Sequence, residues 1–138
     1  MRLPRLVLDT GVLYAAFDKG DTEHHETAVA GFKALNAMNT RLVAPSAVVL
    51  ETAKRLQFDV NHATMQKATA AMLETLEILD TTSQTLRDAL EMIQSIKGWG
   101  ATLEDAIVIQ TALVLDVPVW TLNYRDFAAV KTLRFWTP

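Results

Sequence analysis

Short apolar runs alternate along the chain with longer stretches in which apolar residues return every three or four positions. The first run, Arg5-Leu-Val-Leu-Asp9, is apolar between its charged ends, as expected of a strand covered on both faces. A helix is expected to begin within Val12 to Phe17. Beyond the polar stretch from Asp18 to Glu23, the segment His24 to Met38 places Ala28, Phe32, Leu35 and Met38 near one helical face. Arg41 to Ala44 forms the second strand candidate. Pro45-Ser46 opens a helix that runs to about Phe58, and Asn61 can cap another that continues to about Leu76. Leu76 to Leu79 is the third strand candidate. Thr82 to Ile96 has helical spacing and stops at Gly98-Trp99-Gly100, after which Thr102 to Asp116 is helical and apolar on nearly every side. Val117-Pro-Val-Trp-Thr121, a helical turn over Asp126 to Val130 and a last strand at Leu133 to Trp136 complete the alternation.

Strands separated by helices imply an α/β protein: a three-layer α/β/α sandwich around a parallel sheet of about five short strands. In such a sheet ligands bind at the carboxyl ends of the strands. The length of 138 residues suits one domain spanning 1–138, and half the residues are hydrophobic, enough for a sizeable core. No apolar run reaches the roughly 18 residues of a membrane span, and the start has no signal-peptide pattern, so a cytoplasmic protein with no membrane contact is expected. Zero cysteines exclude disulfides, thiolate-bound metals and thiol catalysis. A net charge of −3 lacks the basic surplus of many nucleic-acid binders, although carboxylates that hold metals also lower the total.

Several oxygen-bearing residues fall at the predicted strand ends. Asp9 closes the first strand, where it can also serve as a helix cap. Glu51 interrupts the apolar Ala47-Val-Val-Leu-Glu-Thr-Ala53, with Lys54 and Arg55 one turn away as possible ion-pair partners. Asp105 shares a helical face with Val108, Ile109 and Ala112, which draws its carboxylate inward, while Thr102-Leu-Glu-Asp105 also has the form of a capping box. Glu104 beside it is expected in solvent. Asn123 and Asp126 follow the fourth strand, and Thr10 and Thr121 can add hydroxyls. Carboxylates crowded together raise one another's pKa unless a cation compensates, and an oxygen-rich site of this kind suits Mg²⁺ or Mn²⁺ and phosphate-ester chemistry.

With these residues in place the chain resembles the PIN-domain ribonucleases, in particular the VapC-type toxins of toxin–antitoxin pairs. The resemblance covers nearly the whole length. It is carried by Val7-Leu-Asp-Thr-Gly-Val-Leu13, Asp21-Thr-Glu-His-His25, Pro45-Ser-Ala-Val-Val-Leu-Glu51, Leu103-Glu-Asp-Ala-Ile107 and Thr121-Leu-Asn-Tyr-Arg-Asp-Phe127. It implies a metal-dependent endoribonuclease that uses a metal-activated water, with Asp9, Glu51 and Asp105 as catalytic metal ligands and Thr10, Thr121 and Asn123 lining the pocket. Asn123 stands where the family commonly has a fourth acid, so either a second cation is weakly held or Asp126 contributes. The resemblance further implies an RNA substrate, an antitoxin partner and a homodimer.

His24 and His25 are expected to cap and pack rather than bind metal, and Trp120 and Trp136 to lie in the core, leaving Trp99 between its glycines as the one tryptophan placed to stack on a base. Lys54, Arg55, Lys97 and Arg125 are the cations available to a phosphate backbone. Two other readings remain: a catalytically weak or silent PIN-like domain that binds RNA or protein, and a nuclease with a housekeeping role. A phosphatase of the Asp-x-Asp type is excluded by Gly11, and a receiver domain by the absence of a lysine closing a late strand.

Overall fold

The computed structural model describes residues 2–138. Four parallel strands, β1 (Arg5–Leu8), β2 (Arg41–Pro45), β3 (Glu77–Leu79) and β4 (Val119–Trp120), lie in the order β3-β2-β1-β4. Helices α1 (Thr10–Phe17) and α2 (His25–Ala37) connect β1 to β2, and α3 (Ser46–Asp59) and α4 (His62–Thr75) connect β2 to β3. Helices α5 (Ser83–Ser95) and α6 (Leu103–Leu115) then carry the chain back across the sheet to β4, followed by the short α7 (Tyr124–Phe127). Right-handed crossovers that step in opposite directions must lie on opposite faces, which produces the three layers. The step direction reverses between β1 and β4, so a crevice opens at their carboxyl ends.

The expected fifth strand does not extend. Leu133 to Trp136 contributes one parallel bridge, Val119 to Phe135, made by Val119 N–H to the Arg134 carbonyl and by Trp136 N–H to the Val119 carbonyl, because β4 is too short to offer a second. The remaining boundaries move little: α1 starts at Thr10 because Asp9 caps it, and the late helical turn falls on Tyr124–Phe127 rather than Asp126–Val130.

Leu6, Val7 and Leu8 are wholly buried, as a strand covered on both faces requires. Trp120 is packed between Phe32, with ring centroids 5.1 Å apart, and Trp136, at 5.2 Å and nearly perpendicular. Helix α2 reaches this ring through Gly31, where an added Cβ would stand 2.3 Å from the indole. At the opposite end of the sheet Glu77 on β3 pairs with Arg5 on β1 and, at 3.5 Å, with Arg41 on β2, tying three strands together. Trp99 packs against the core and is half-buried, so it is not the free stacking platform its glycine neighbours suggest. No helix is long and apolar enough to cross a membrane among the described residues. Apolar side chains nonetheless remain exposed, including Leu50 and Phe58 on α3 and Val114 on α6.

Candidate functional site

Asp9, directly after β1, is 4% exposed. Its position at the start of α1 explains how a carboxylate is tolerated there, since one oxygen accepts from Thr10 N–H at 2.8 Å and the other from the Thr121 hydroxyl at 2.6 Å. Thr121 follows β4, and its oxygen in turn accepts from Asn123 N–H at 2.9 Å. The adjacent strand ends are thereby joined through one carboxylate. These contacts do not offset its surroundings: burial, with smaller contributions from Asp105 and Glu51, pushes the Asp9 carboxyl up from 3.8 to about 7 against the pull of Thr121 and Thr10.

Asp9 opens onto a cleft of about 280 Å³ lined also by Thr10, Glu51, Arg55, Asp105 and Asn123. Glu51 and Arg55 come from α3, and Asp105 from the first turn of α6. Asp105 is half-buried and completes a capping box: its Oδ2 accepts from Thr102 N–H at 3.1 Å, and its own N–H donates to the Thr102 hydroxyl at 3.1 Å. The cap and the cleft are compatible roles, because the cap fixes the side chain where it faces Asp9. The ion pair open to Glu51 in the sequence does not form: among the described residues its carboxylate has no salt bridge with Lys54 or Arg55. Instead burial and the carboxyl of Glu104 raise its pKa, with the Thr10 hydroxyl and Arg55 opposing.

Two corrections follow. Asp126 does not line this cleft; it lies on α7, three residues beyond Asn123, with its carboxylate 3.6 Å from the Arg125 guanidinium. Glu104, expected in solvent, is half-buried and meets Glu51 because α6 docks against α3. Sequence reasoning missed this contact, which joins residues 53 positions apart and leaves no local signal. It likewise gave no sign that Arg55 would stack on Tyr14. His24 stays with its own turn, 3.4 Å from Asp21, while His25 Nδ1 meets the Ala15 carbonyl of α1 at 2.8 Å.

The donors that could hold a cation are therefore the carboxylates of Asp9, Glu51 and Asp105 with the amide oxygen of Asn123, all of them hard oxygen ligands. The Thr10 hydroxyl is buried there, near enough to Glu51 to favour that carboxylate's charged form but making no hydrogen bond of ordinary geometry. A carboxyl raised chiefly by burial and further by two like neighbours, with a buried hydroxyl on the same wall, fits a positive ion. Among the described residues, however, no three acidic or histidine side chains stand close enough to enclose one as they are.

Fold and site together define an α/β protein whose oxygen-lined acidic cleft lies at the switch point of a parallel sheet. The chain belongs to the PIN domain family, which it matches over residues 6–133. No curated protein matches it by sequence. Among solved structures it is similar to the Mycobacterium tuberculosis toxin VapC20, described as cleaving the Sarcin-Ricin loop, with 20% identity, a TM-score of 0.81, and coverage of 96% of this chain and 99% of that one. It is also similar to a chain of VapBC2 from Rickettsia felis bound to a promoter DNA fragment, at 19% identity and a TM-score of 0.75, covering 96% and 97%. DNA-bound VapBC from Salmonella typhimurium gives 17% identity, the same TM-score, and coverage of 97% and 98%. At these identities the likeness is one of fold.

Proposed function

We propose that this chain, acting as one PIN domain over residues 1–138, is a divalent-cation-dependent endoribonuclease and the toxin of a toxin–antitoxin pair. One observation carries this: buried Asp9 shares its cleft with Glu51, Asp105, Asn123 and the buried Thr10 hydroxyl at the switch point of the sheet. Family membership and the RNA-cleaving description of VapC20 support the substrate class, and the VapBC complexes support an antitoxin partner. Homodimerisation and action in the cytoplasm belong to the same proposal.

Asp9, Glu51 and Asp105 would hold Mg²⁺ or Mn²⁺, with Asn123 as a neutral donor. A cation of this kind supplies the charge that acidifies water and neutralises the phosphodiester in its transition state. The chain's own part is to orient the ligands. Thr10 N–H and Thr121 O–H fix both oxygens of Asp9, while the α6 cap occupies one oxygen of Asp105 and leaves the other toward the cleft. Burial keeps bulk water from screening Asp9.

The test is growth after induced expression without an antitoxin, comparing wild type with Asp9→Asn at equal soluble level. Arrest by wild type alone, with new RNA ends in the arrested cells, is the expected result. A silent RNA- or protein-binding domain is the second reading, favoured by the neutral Asn123 and by the separation of the carboxylates. Normal growth with both proteins, or arrest by both, would favour it over the nuclease.

A further inference from the structure

Glu51 and Arg55 lie one turn apart on α3, a spacing at which acid and base commonly pair along a helix. Here they do not. Arg55 makes no ion pair among the described residues, although Asp59 stands one further turn along. Its guanidinium instead lies over the ring of Tyr14 on α1, with its carbon 4.0 Å from the ring centroid. Tyr14 is buried, and its hydroxyl donates to Asp59 Oδ2 at 3.2 Å, so the platform is held from beneath by α3 itself. Placed over the ring, the guanidinium makes no ion pair among the described residues, and its free N–H edge matches a phosphate.

The position of this free edge is informative. Arg55 borders the acidic cleft and also a neighbouring groove of about 570 Å³ walled by Leu50, Phe58 and Lys54, with the carboxylates of Glu51, Asp59 and Glu104 also on its lining. Among the described residues it is the one Lys or Arg that lines the acidic cleft: Lys54 reaches only the groove, Lys97 lines neither, and Arg125 stands beside Asp126. A polyanion approaching three carboxylates is repelled unless a cation meets it at the entrance. We propose that Arg55, seated on Tyr14 where the cleft meets the groove, is a phosphate-contacting residue of the RNA path. This rests on the ribonuclease reading above.

The experiment measures binding of a fluorescent single-stranded RNA of mixed sequence by anisotropy over a range of salt concentrations, with Asp9→Asn as the uncut parent. Adding Arg55→Gln is expected to weaken binding about tenfold, the loss typical of one charge-assisted hydrogen-bonded contact. It should also lower the slope of log affinity against log salt by about 0.7, the value for one phosphate on a single strand. Arg55→Lys, which keeps the charge, should restore the slope. Arg55 is exposed, so each variant is expected to fold, and matching thermal melts confirm it. Affinity within twofold of the parent with an unchanged slope overturns the assignment while leaving the nuclease in place. Failure of Arg55→Lys to recover the slope also overturns it. A parent that binds no RNA removes the ribonuclease reading and this assignment together.

Discussion

Asp9 ties the stability of the metal-free protein to pH in a direction that can be worked out in advance. Its carboxyl titrates near 3.8 when ordinarily solvated and about 7 in the folded protein, chiefly because it is buried. The folded state therefore holds the proton more tightly, and the contribution to stability is fully present below pH 4 and lost as pH rises through 7. At about 1.4 kcal/mol per unit the whole swing is on the order of 4 kcal/mol, of which roughly 2–3 kcal/mol falls between pH 5 and pH 8. Asp9→Asn removes the titration but keeps an oxygen for Thr10 N–H and gives Thr121 an amide donor. Urea unfolding of both proteins in chelator at pH 5 and pH 8 isolates the effect, since other titrating groups largely cancel in the difference. The variant should gain roughly 2–3 kcal/mol on wild type across that interval. An equal difference at both pH values would refute the assignment of a raised, burial-driven pKa to Asp9. Adding Mg²⁺ at pH 8 should then stabilise wild type and leave the variant unmoved, by preferential binding to the folded state.

Thr121→Val removes the hydroxyl that donates to Asp9 at 2.6 Å with little change in shape, and should cost about 1–3 kcal/mol at pH 8 and less at pH 4, where the carboxyl is neutral. Chemical denaturation at the two pH values measures it. Gly31→Ala places a methyl group 2.3 Å from the Trp120 ring, so the gain of about 1 kcal/mol usual for alanine in a helix should be outweighed by an overpacking cost of about 1–3 kcal/mol. A lower Tm and altered tryptophan fluorescence are the expected readouts. Asp105→Asn keeps an acceptor for Thr102 N–H and should change stability by under about 0.5 kcal/mol while abolishing RNA cleavage. Retained cleavage would reduce Asp105 to its cap.

The layers of the fold were legible because each strand carries a run that suits burial on both sides and each helix a repeat that suits one. Leu6 to Leu8 and Val43 to Ala44 are as buried as their composition implies. The last strand was not legible, for a reason its sequence does not contain. Leu133 to Trp136 is apolar enough to pair, but β4 is only two residues long, and the shortness of the partner limits Phe135 to a single bridge. Trp99 failed in a similar way. Flanking glycines describe a loop, and nothing local shows that the loop folds back on the core.

The cleft was legible to the extent that it depends on strand ends. Asp9, Thr121 and Asn123 sit where β1 and β4 stop, so the topology alone brings them together, while Asp126 falls within α7 and off the cleft lining. What depends on helix docking was hidden. Glu104 meets Glu51, and Arg55 leaves Glu51 for Tyr14, through the placement of α3 against α6 and α1, which no spacing along one helix encodes. Asp105 shows why the two kinds of signal need not compete. Its capping box is the ordinary explanation of an acid at the third position of a helix, and the box is present. A cap also locks the rotamer, and here the locked carboxylate faces a buried Asp9 whose pKa it helps to raise. A residue that must hold a charge in place against repulsion needs such an anchor, so the local motif supplies the rigidity that the cleft requires.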